Sequence, residues 1–291
     1  MIDLTYRGSL SSCNYDCQYC PFAKTRDDSA RRLQDQKALT QFVDWVESRQ
    51  SQAQFRVLFT PWGEALIRKW YREAMLRLAQ MPHVQKVVMQ TNLSSSLQWL
   101  KWAEKIALWT TFHPTETTIA HFIQQTQQLD LMGVAYSVGI VGTKENQSTA
   151  KALRAKLNPK TYLWVNAYKE IKGYYQAGDV QNFQRIDPLF DINLSDYSSK
   201  GKPCRSAVSA ISIDGGGNVT PCHFVGAKLG NIYQQSLGDI LQHQYACPND
   251  ICDCYIGYIH LPSLALENTY GDALLERIPK NSQICTPSVA E

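Results

Sequence analysis

Short β-branched or aromatic runs alternate with amphipathic stretches of helical period through the first 190 residues of this 291-residue chain. Such alternation is typical of βα units that build a parallel sheet. Right-handed crossovers would curl six consecutive parallel strands into a partial (β/α)6 barrel of the α/β class, with functional side chains at the carboxyl ends of the strands. The strands are predicted at Asp3–Tyr6, Gln54–Phe59, Val84–Gln90, Ala107–Phe112, Ala135–Val141 and Tyr162–Asn166, and the helices near 36–49, 65–79, 95–104, 116–131, 147–157 and 170–186.

The composition excludes several classes of protein. With 44% hydrophobic and 19% charged residues, the chain reads as globular rather than disordered. No apolar run reaches the roughly 18 residues of a membrane helix and the N-terminus lacks a signal-peptide pattern, so no membrane partner and a cytoplasmic location are expected. The 29 basic and 26 acidic residues form no basic cluster, so no nucleic acid partner is evident. Nine cysteines, an odd number, favour metal or thiol chemistry over a disulfide scaffold.

Three of these cysteines lie together just after the first predicted strand. Residues 13–20 read Cys-Asn-Tyr-Asp-Cys-Gln-Tyr-Cys, a CxxxCxxC arrangement. Three thiolates on a short loop can hold three irons of a [4Fe–4S] cluster and leave the fourth iron open to chelate a substrate. A structural zinc ion is the alternative, but it would need a fourth ligand at finger-like spacing, which no nearby His or Cys supplies. Cys13, Cys17 and Cys20 are therefore predicted cluster ligands.

The segment from Cys13 to Phe22 resembles the cluster loop of the radical S-adenosylmethionine (SAM) superfamily, including the aromatic residue directly before the third cysteine. The resemblance implies that the open iron takes the amino and carboxylate groups of SAM. It also implies that an electron from the cluster breaks a C–S bond of SAM, and that the resulting 5′-deoxyadenosyl radical abstracts hydrogen from a C–H position. Tyr19 would pack by the adenine, and an electron donor such as a flavodoxin or ferredoxin would be needed.

Two further segments resemble SAM-binding motifs of that superfamily, each with one departure. Residues 59–64, Phe-Thr-Pro-Trp-Gly-Glu, resemble the Gly-Gly-Glu segment that meets the SAM amino group, with Trp62 in place of the first glycine. Residues 139–145 are similar to the GxIxGxxE pattern for adenine contact. A buried strand whose glycines mark a bend would show the same sequence pattern. The candidate SAM-binding residues are Tyr19, Gly63, Glu64, Asn92, Gly139, Gly142 and Glu145. Polar strand-end residues that could face the barrel mouth are Gln90, Asn92, His113 and Asn166.

A second cysteine-rich region follows a candidate linker at 191–203, which predicts a barrel at 1–190 and an extension at 191–291. A glycine turn at 215–218 predicts a hairpin that brings Cys204 and Cys222 together. The region resembles the SPASM and twitch extensions of radical SAM enzymes, which hold auxiliary [4Fe–4S] clusters. The cysteine count favours one twitch-like cluster, and structural zinc is the alternative. The ligands are predicted to be Cys204, Cys222, Cys252 and Cys254, with Cys247 as the substitute; Cys285 is predicted to be a bystander, and 270–280 a short amphipathic helix over an edge.

The motifs CNYDCxYCPFAK and CDCxIGYxHL together resemble those of a small group of stand-alone bacterial radical SAM proteins of unassigned substrate. The predicted function is a radical SAM oxidoreductase that acts on a small molecule, with substrate oxidation through the auxiliary cluster as an extension of that reaction. The triplet begins at residue 13, which leaves no room upstream for a leader-peptide-binding domain and favours a small molecule or a peptide presented by a separate partner. The alternatives are modification of a ribosomally synthesised peptide, activation of a glycyl-radical enzyme, and a non-enzymatic iron–sulfur sensor.

Overall fold

The computed structural model describes residues 1–23, 25–100 and 104–281, and a sheet of nine strands runs through it. Six consecutive strands pair in parallel, each with the next along the chain. The partial (β/α)6 barrel predicted from the strand–helix alternation is thereby confirmed. The six strands are β1 (Ile2–Gly8), β2 (Phe55–Phe59), β3 (Val84–Thr91), β4 (Ile106–Phe112), β5 (Ala135–Gly142) and β6 (Leu163–Ala167).

Helices follow the strands, but several differ in extent from the prediction. The first begins seven residues earlier than the predicted start at 36, because the Asp28 side chain caps it by accepting a bond from the Arg31 N–H (2.8 Å). The stretch 95–104 contains only a 3₁₀ turn at Gln98–Leu100, and 101–103 lie outside the described residues. The helices are α1 (Ser29–Glu47), α2 (Lys69–Gln80), α3 (Ile119–Met132), α4 (Gln147–Lys156), α5 (Ala177–Gln184) and α6 (Phe190–Leu194).

The glycine-turn hairpin of the extension continues the barrel sheet. Its first strand, β8 (Ala210–Asp214), pairs in parallel with the open edge of β1, and β9 (Asn218–Thr220) pairs antiparallel with β8. The short strand β10 (Gly230–Asn231) completes the edge and is followed by the short helix α7 (Leu237–Ile240), while β7 (Tyr197–Ser198) and β11 (Ile251–Cys252) form a separate two-stranded ladder. The extension is thus built onto the barrel through backbone hydrogen bonds, and the division at residue 190 stays a prediction.

The two faces of the sheet are covered differently. Helices α1 to α4 bury one face in the larger hydrophobic cluster. The inner face, which carries Trp109 and Trp164, is packed by residues 255–275, including α8 (Tyr255–Tyr258) and α9 (Glu267–Tyr270). The amphipathic helix predicted at 270–280 is wrong, because the chain turns at Gly271 (φ +58°) and buries itself inside the barrel instead of covering an edge. No helix among the described residues is long and apolar enough to cross a membrane.

Asp187, which is fully buried, fastens β6 to the connection between α5 and α6. Its carboxylate accepts hydrogen bonds from the Tyr162 hydroxyl (2.7 Å) and from the backbone N–H groups of Val165 (2.9 Å) and Leu189 (2.9 Å). Burial raises the pKa of Asp187, and these three donors oppose that rise. The carboxylate therefore holds one wall of the barrel.

Removal of this carboxylate is expected to destabilise the fold strongly. Asp187→Ala leaves three buried donors unpaired and should lower the free energy of unfolding by about 3 kcal/mol. Urea unfolding followed by circular dichroism measures the loss. Asp191→Ala is the matched control, since among the described residues that exposed carboxylate accepts only from the Gln184 side chain (2.8 Å) and its loss should change stability little. Equal losses in the two variants would contradict the prediction.

Candidate active site

A cavity of about 720 Å³ opens on the inner face of the barrel. Its volume lies within the range of about 300–1,000 Å³ usual for ligand sites. Residues near the carboxyl ends of all six parallel strands of the barrel line it, as expected for a site in a parallel sheet. All four polar residues predicted to face the barrel mouth are among its lining: Gln90, Asn92, His113 and Asn166.

Cys13, Cys17 and Cys20 all line this cavity. Cys17 is buried and the other two are half-buried. Burial raises the pKa of Cys17 to about 11 and also raises the pKa of Cys13, so the thiolate forms are disfavoured unless a cation stabilises them. Three thiols beside a cavity large enough for a ligand fit a cluster with one open iron.

The cysteine loop is tied to the end of β3 by side-chain amides. The Asn92 amide donates to Asn14 Oδ1 (3.1 Å), and the Asn14 amide donates to the Ser94 hydroxyl (3.0 Å). The Asn92 Nδ2 also lies 3.9 Å from Cys13 Sγ. Asn92, a candidate SAM contact, therefore positions the first cysteine from the neighbouring strand.

Gly63 allows the turn after β2 to pass directly against the cysteine loop. A Cβ atom added at Gly63 would lie 1.9 Å from the Ser12 carbonyl oxygen and 3.1 Å from the Cys13 nitrogen. The departure at Trp62 also has a structural explanation, since its ring packs edge-on against Phe22 (4.4 Å between centroids) and beneath the Arg7 guanidinium (4.6 Å). The turn at 62–64 therefore braces the cysteine loop.

Glu64 lies at the cavity wall with 2% of its surface exposed. Its Oε1 accepts bonds from the Leu66 N–H (2.9 Å) and the Thr91 hydroxyl (2.8 Å), and its Oε2 accepts one from the Asn92 N–H (2.6 Å). Burial raises the pKa of Glu64 to about 7 in spite of these donors. Three of about four lone-pair positions are used, so one is left for an ammonium group such as that of SAM.

Tyr19 pairs with His113, which lines the cavity, although Tyr19 is not itself among the lining residues. The Tyr19 hydroxyl lies 2.7 Å from His113 Nδ1, and the two rings lie 5.9 Å apart and nearly parallel. Burial lowers the pKa of His113 to about 4, so the imidazole is neutral near pH 7. Tyr19, the aromatic residue before the third cysteine, therefore contacts a histidine that lines the cavity.

The segment 139–145 contributes less to the cavity than its motif predicts. Of this segment, only Val141 lines the cavity. A Cβ at Gly139 would lie 2.1 Å from the Trp164 ring, so this glycine makes room for the tryptophan. Gly142 packs against Val165 and Tyr175 on the other side of the strand, and Glu145 is exposed. In the structure, Gly139 and Gly142 therefore have packing roles and Glu145 is exposed, and their contact with adenine stays a prediction.

A second cavity, of about 200 Å³, lies in the extension and is lined by four cysteines. Its walls are fixed by backbone bonds, from the Cys204 N–H to Tyr245 (2.9 Å) and from the Cys247 N–H to Lys202 (3.1 Å). Burial and the neighbouring thiols raise the pKa of Cys252 to about 12. The cysteines at this cavity are Cys204, Cys222, Cys247 and Cys252.

This grouping differs from the predicted ligand set, which stays a prediction. Cys254 lines the barrel cavity, and Cys247 takes its place at the second cavity. The reason is the turn between them, since β11 ends at Cys252 and Cys254 is already the N-cap of α8. No three His, Cys, Asp or Glu side chains within 1–23, 25–100 and 104–281 converge on a single ion position. Cys285 lies outside the described residues.

Several polar residues that line the barrel cavity were not predicted from the sequence, among them Arg7, His223 and Arg277. His223 bridges two strands, with Nε2 lying 2.7 Å from the Thr60 hydroxyl and Nδ1 bonded to the Ser212 hydroxyl. Its position directly after Cys222 was the only signal that could have pointed to it.

Comparison with known proteins agrees with this geometry. Residues 204–254 match the SPASM family, described as an iron–sulfur cluster-binding domain. The fold resembles the solved structure of anSMEcpe, a radical SAM enzyme, with bound AdoMet: TM-score 0.56, 15% identity, covering 82% of this chain and 76% of that one. The chain has the fold of the radical SAM enzymes, with a SPASM-type extension. The resemblance that its cysteine motifs indicated is confirmed.

Two other similarities bear on this chain. The structure of anSMEcpe with bound AdoMet and a Cp18Cys peptide has a TM-score of 0.55 and 17% identity, over 82% of this chain and 79% of that one. The tRNA(Met) cytidine acetate ligase of Lysinibacillus sphaericus (strain C3-41) is 23% identical over 133 residues, which is 45% of this chain and 33% of the ligase. The chain therefore spans about a third of that ligase, whose activity is not transferred to it.

Proposed function

We propose that this protein is a radical SAM enzyme that cleaves SAM reductively and abstracts hydrogen from a small molecule held in the barrel cavity. The observation that supports the proposal is that Cys13, Cys17, Cys20 and Glu64 all line one cavity of about 720 Å³. A [4Fe–4S] cluster on the three thiolates would supply the electron that breaks a C–S bond of SAM. AdoMet is bound in the anSMEcpe structures of the same fold, which supports SAM as the cosubstrate.

The surrounding residues fit a SAM-binding role. Glu64 has one carboxylate lone pair left for the SAM ammonium group, and the backbone at Gly63 can approach a ligand because no Cβ intervenes. His113, neutral and bonded to Tyr19, adds no charge to the rim and orients the tyrosine ring. These residues bind and orient the cosubstrate beside the cysteine loop.

Modification of a peptide is the second candidate. The observation that favours it is the fold shared with anSMEcpe in complex with a Cp18Cys peptide, together with the SPASM match. Both candidates share the SAM-cleaving step and differ only in the molecule that supplies the hydrogen. A cytoplasmic location and a flavodoxin or ferredoxin as the electron donor complete the proposal.

Formation of 5′-deoxyadenosine tests the proposed function directly. Anaerobically reconstituted protein is incubated with SAM and dithionite, and the product is quantified by liquid chromatography. Incubations without dithionite and with protein that was not reconstituted serve as controls. Product that depends on both reductant and reconstitution supports the proposal, and its absence from cluster-replete protein would refute it.

The second cavity supports a revised assignment of the auxiliary cluster ligands. Four cysteines line a cavity of about 200 Å³, and a Cβ at Gly257 would lie 2.8 Å from Cys252 Sγ, so this glycine leaves room for the sulfur. The auxiliary cluster is therefore assigned to Cys204, Cys222, Cys247 and Cys252. Cys254 remains a thiol of the barrel cavity.

Iron counting distinguishes this assignment from the one based on sequence. Reconstituted wild-type protein should contain about eight irons per chain. Cys247→Ser should lower this toward about four, since it removes one of the four thiolates. Cys254→Ser, the matched control, should keep about eight. Mössbauer spectra of the same samples measure the cluster type. Loss of iron in Cys254→Ser but not in Cys247→Ser would overturn the assignment.

A further inference from the structure

A buried guanidinium with unsatisfied donors faces the barrel cavity. Arg277 is 2% exposed and lines the cavity. Its guanidinium carbon lies 4.3 Å from the centre of the Trp164 ring and 4.3 Å from that of the Tyr255 ring. Its Nε and Nη1 have no hydrogen-bond partner among the residues that the structure describes. The side chain is therefore stacked between rings while two in-plane donors stay open.

No neighbouring acid among the described residues forms an ion pair with this guanidinium, although the buried Asp187 carboxylate interacts with it electrostatically. A buried charge is strongly unfavourable unless it is paired, and stacked rings offset only part of the penalty because they contact the faces of the guanidinium. Glu64 accepts from three donors of its own, and Asp187 does the same. Glu276 pairs with Lys86 (2.8 Å). Within the described residues, no ion pair to Arg277 is formed.

The backbone holds Arg277 in a position that a non-glycine residue rarely adopts. Its φ of +58° lies in the left-handed region, which is unfavourable for a residue with a Cβ. The adjacent Glu276 is fixed on two sides, by the Ser137 hydroxyl that donates to its carbonyl (2.8 Å) and by Lys86. Backbone strain of this kind persists where the surroundings over-determine it, and it concentrates at ligand sites.

We propose that Arg277 binds the anionic group, a carboxylate or a phosphate, of the substrate in the barrel cavity. The guanidinium fork matches such oxyanions with two parallel hydrogen bonds. The apolar part of the substrate would lie against Trp109 and Trp164, which line the same cavity. The proposal rests on the proposed function, because it takes the molecule in this cavity to be the substrate.

SAM also carries a carboxylate, but the position of Arg277 favours the substrate. The cysteine loop contacts the cavity rim at His113, through Tyr19. Arg277 lies 5.8 Å from the ring of Trp109, which precedes His113 by four residues of extended chain, or about 13 Å at 3.3 Å per residue. The guanidinium is therefore deep in the barrel, away from the rim where SAM would meet the cysteine loop.

Equilibrium dialysis of the reconstituted full chain tests the proposal with defined probes. Radiolabelled benzoate is the carboxylate probe, benzamide is its neutral analogue, and inorganic phosphate is the competitor that reveals a phosphate preference. Wild-type protein should bind benzoate or phosphate saturably and benzamide at least tenfold more weakly. Arg277→Gln should weaken anion binding about tenfold or more, Arg277→Lys less, and labelled SAM should bind to these variants as to wild type.

Arg49→Gln is the matched control, because Arg49 stacks on the Trp45 ring (5.6 Å) as a cation outside the cavity and should leave anion binding unchanged. Equal binding of benzoate, phosphate and benzamide to wild type would overturn the proposal, as would wild-type anion affinity in Arg277→Gln. Loss of SAM binding in place of anion binding would assign Arg277 to SAM and also overturn it. If Arg277→Gln does not fold, the wild-type comparison and Arg277→Lys decide. Because no reductant is present, failure here is separate from failure to form 5′-deoxyadenosine.

Discussion

Reconstituted Cys17→Ala protein is expected to form 5′-deoxyadenosine only at the background level. Cys17 is the most buried of the three loop cysteines, and like Cys13 and Cys20 it lines the barrel cavity. Loss of one of three ligands leaves the first cluster without a complete set of thiolates, so iron should fall by about four per chain. Anaerobic iron analysis and chromatography of the SAM products measure both effects.

The control for this variant is Cys285→Ala. It removes a thiol that is assigned to neither cysteine group, so iron content and product yield should match those of wild type. The second cavity is separate from the first, and Cys17→Ala should therefore keep about four irons and the spectrum of the auxiliary cluster. A Cys17→Ala protein that still forms 5′-deoxyadenosine at the wild-type rate would contradict both the ligand assignment and the proposed function.

Local patterns were enough to predict most of the barrel. The fourth strand was predicted at 107–112 and is observed at Ile106–Phe112, because a continuous apolar and β-branched run has few alternatives to a buried strand. The polar residues that interrupt such runs at their carboxyl ends, including Gln90 and Asn166, do line the cavity. Because the carboxyl ends of parallel barrel strands meet at one face, the position of these residues at the cavity follows from strand direction alone, without any tertiary contact.

The segments that the sequence did not reveal depend on long-range packing. Residues 255–275 fill the inner face of the barrel, whereas the stretch from 270 to 280 was predicted as an amphipathic helix over an edge. Arg277 reads in the sequence as one more basic residue near the C-terminus, and only the arrangement of Trp164 and Tyr255 around it shows a buried cation. Hydrophobic periodicity and composition carry no information about whether a single arginine is buried between rings.

Spacing also could not select among the auxiliary cysteines or distinguish packing from binding at glycines. Cys247 and Cys254 are equivalent in a count of thiols, and the turn after β11 is what separates them between two cavities. Gly139 fits an adenine-binding pattern, yet its missing Cβ accommodates Trp164. Gly63 also fits a binding pattern, and there the close approach does involve the functional loop.

Gly63→Ala is expected to reduce 5′-deoxyadenosine formation by about 100-fold, because a displacement of the loop by about 1 Å can cost that much in rate. The added Cβ would lie 1.9 Å from the Ser12 carbonyl oxygen and 2.4 Å from the Ser12 carbonyl carbon. Both are backbone atoms, so no side-chain rotation relieves the contact, and the loop that carries Cys13 must move away from Glu64 and Asn92. Product formation and iron content, measured anaerobically, report the effect.

The matched control is Gly178→Ala, in α5, where an added Cβ meets nothing within 4 Å and φ is not positive. Alanine has the higher helix propensity, so this variant should be as active as wild type and slightly more stable. Thermal unfolding separates the two effects of Gly63→Ala: displacement of the loop should lower product yield while the barrel, held by its parallel strands, melts within a few degrees of wild type. Wild-type product yield in Gly63→Ala would show that the close contact between the turn and the cysteine loop is not required for SAM cleavage.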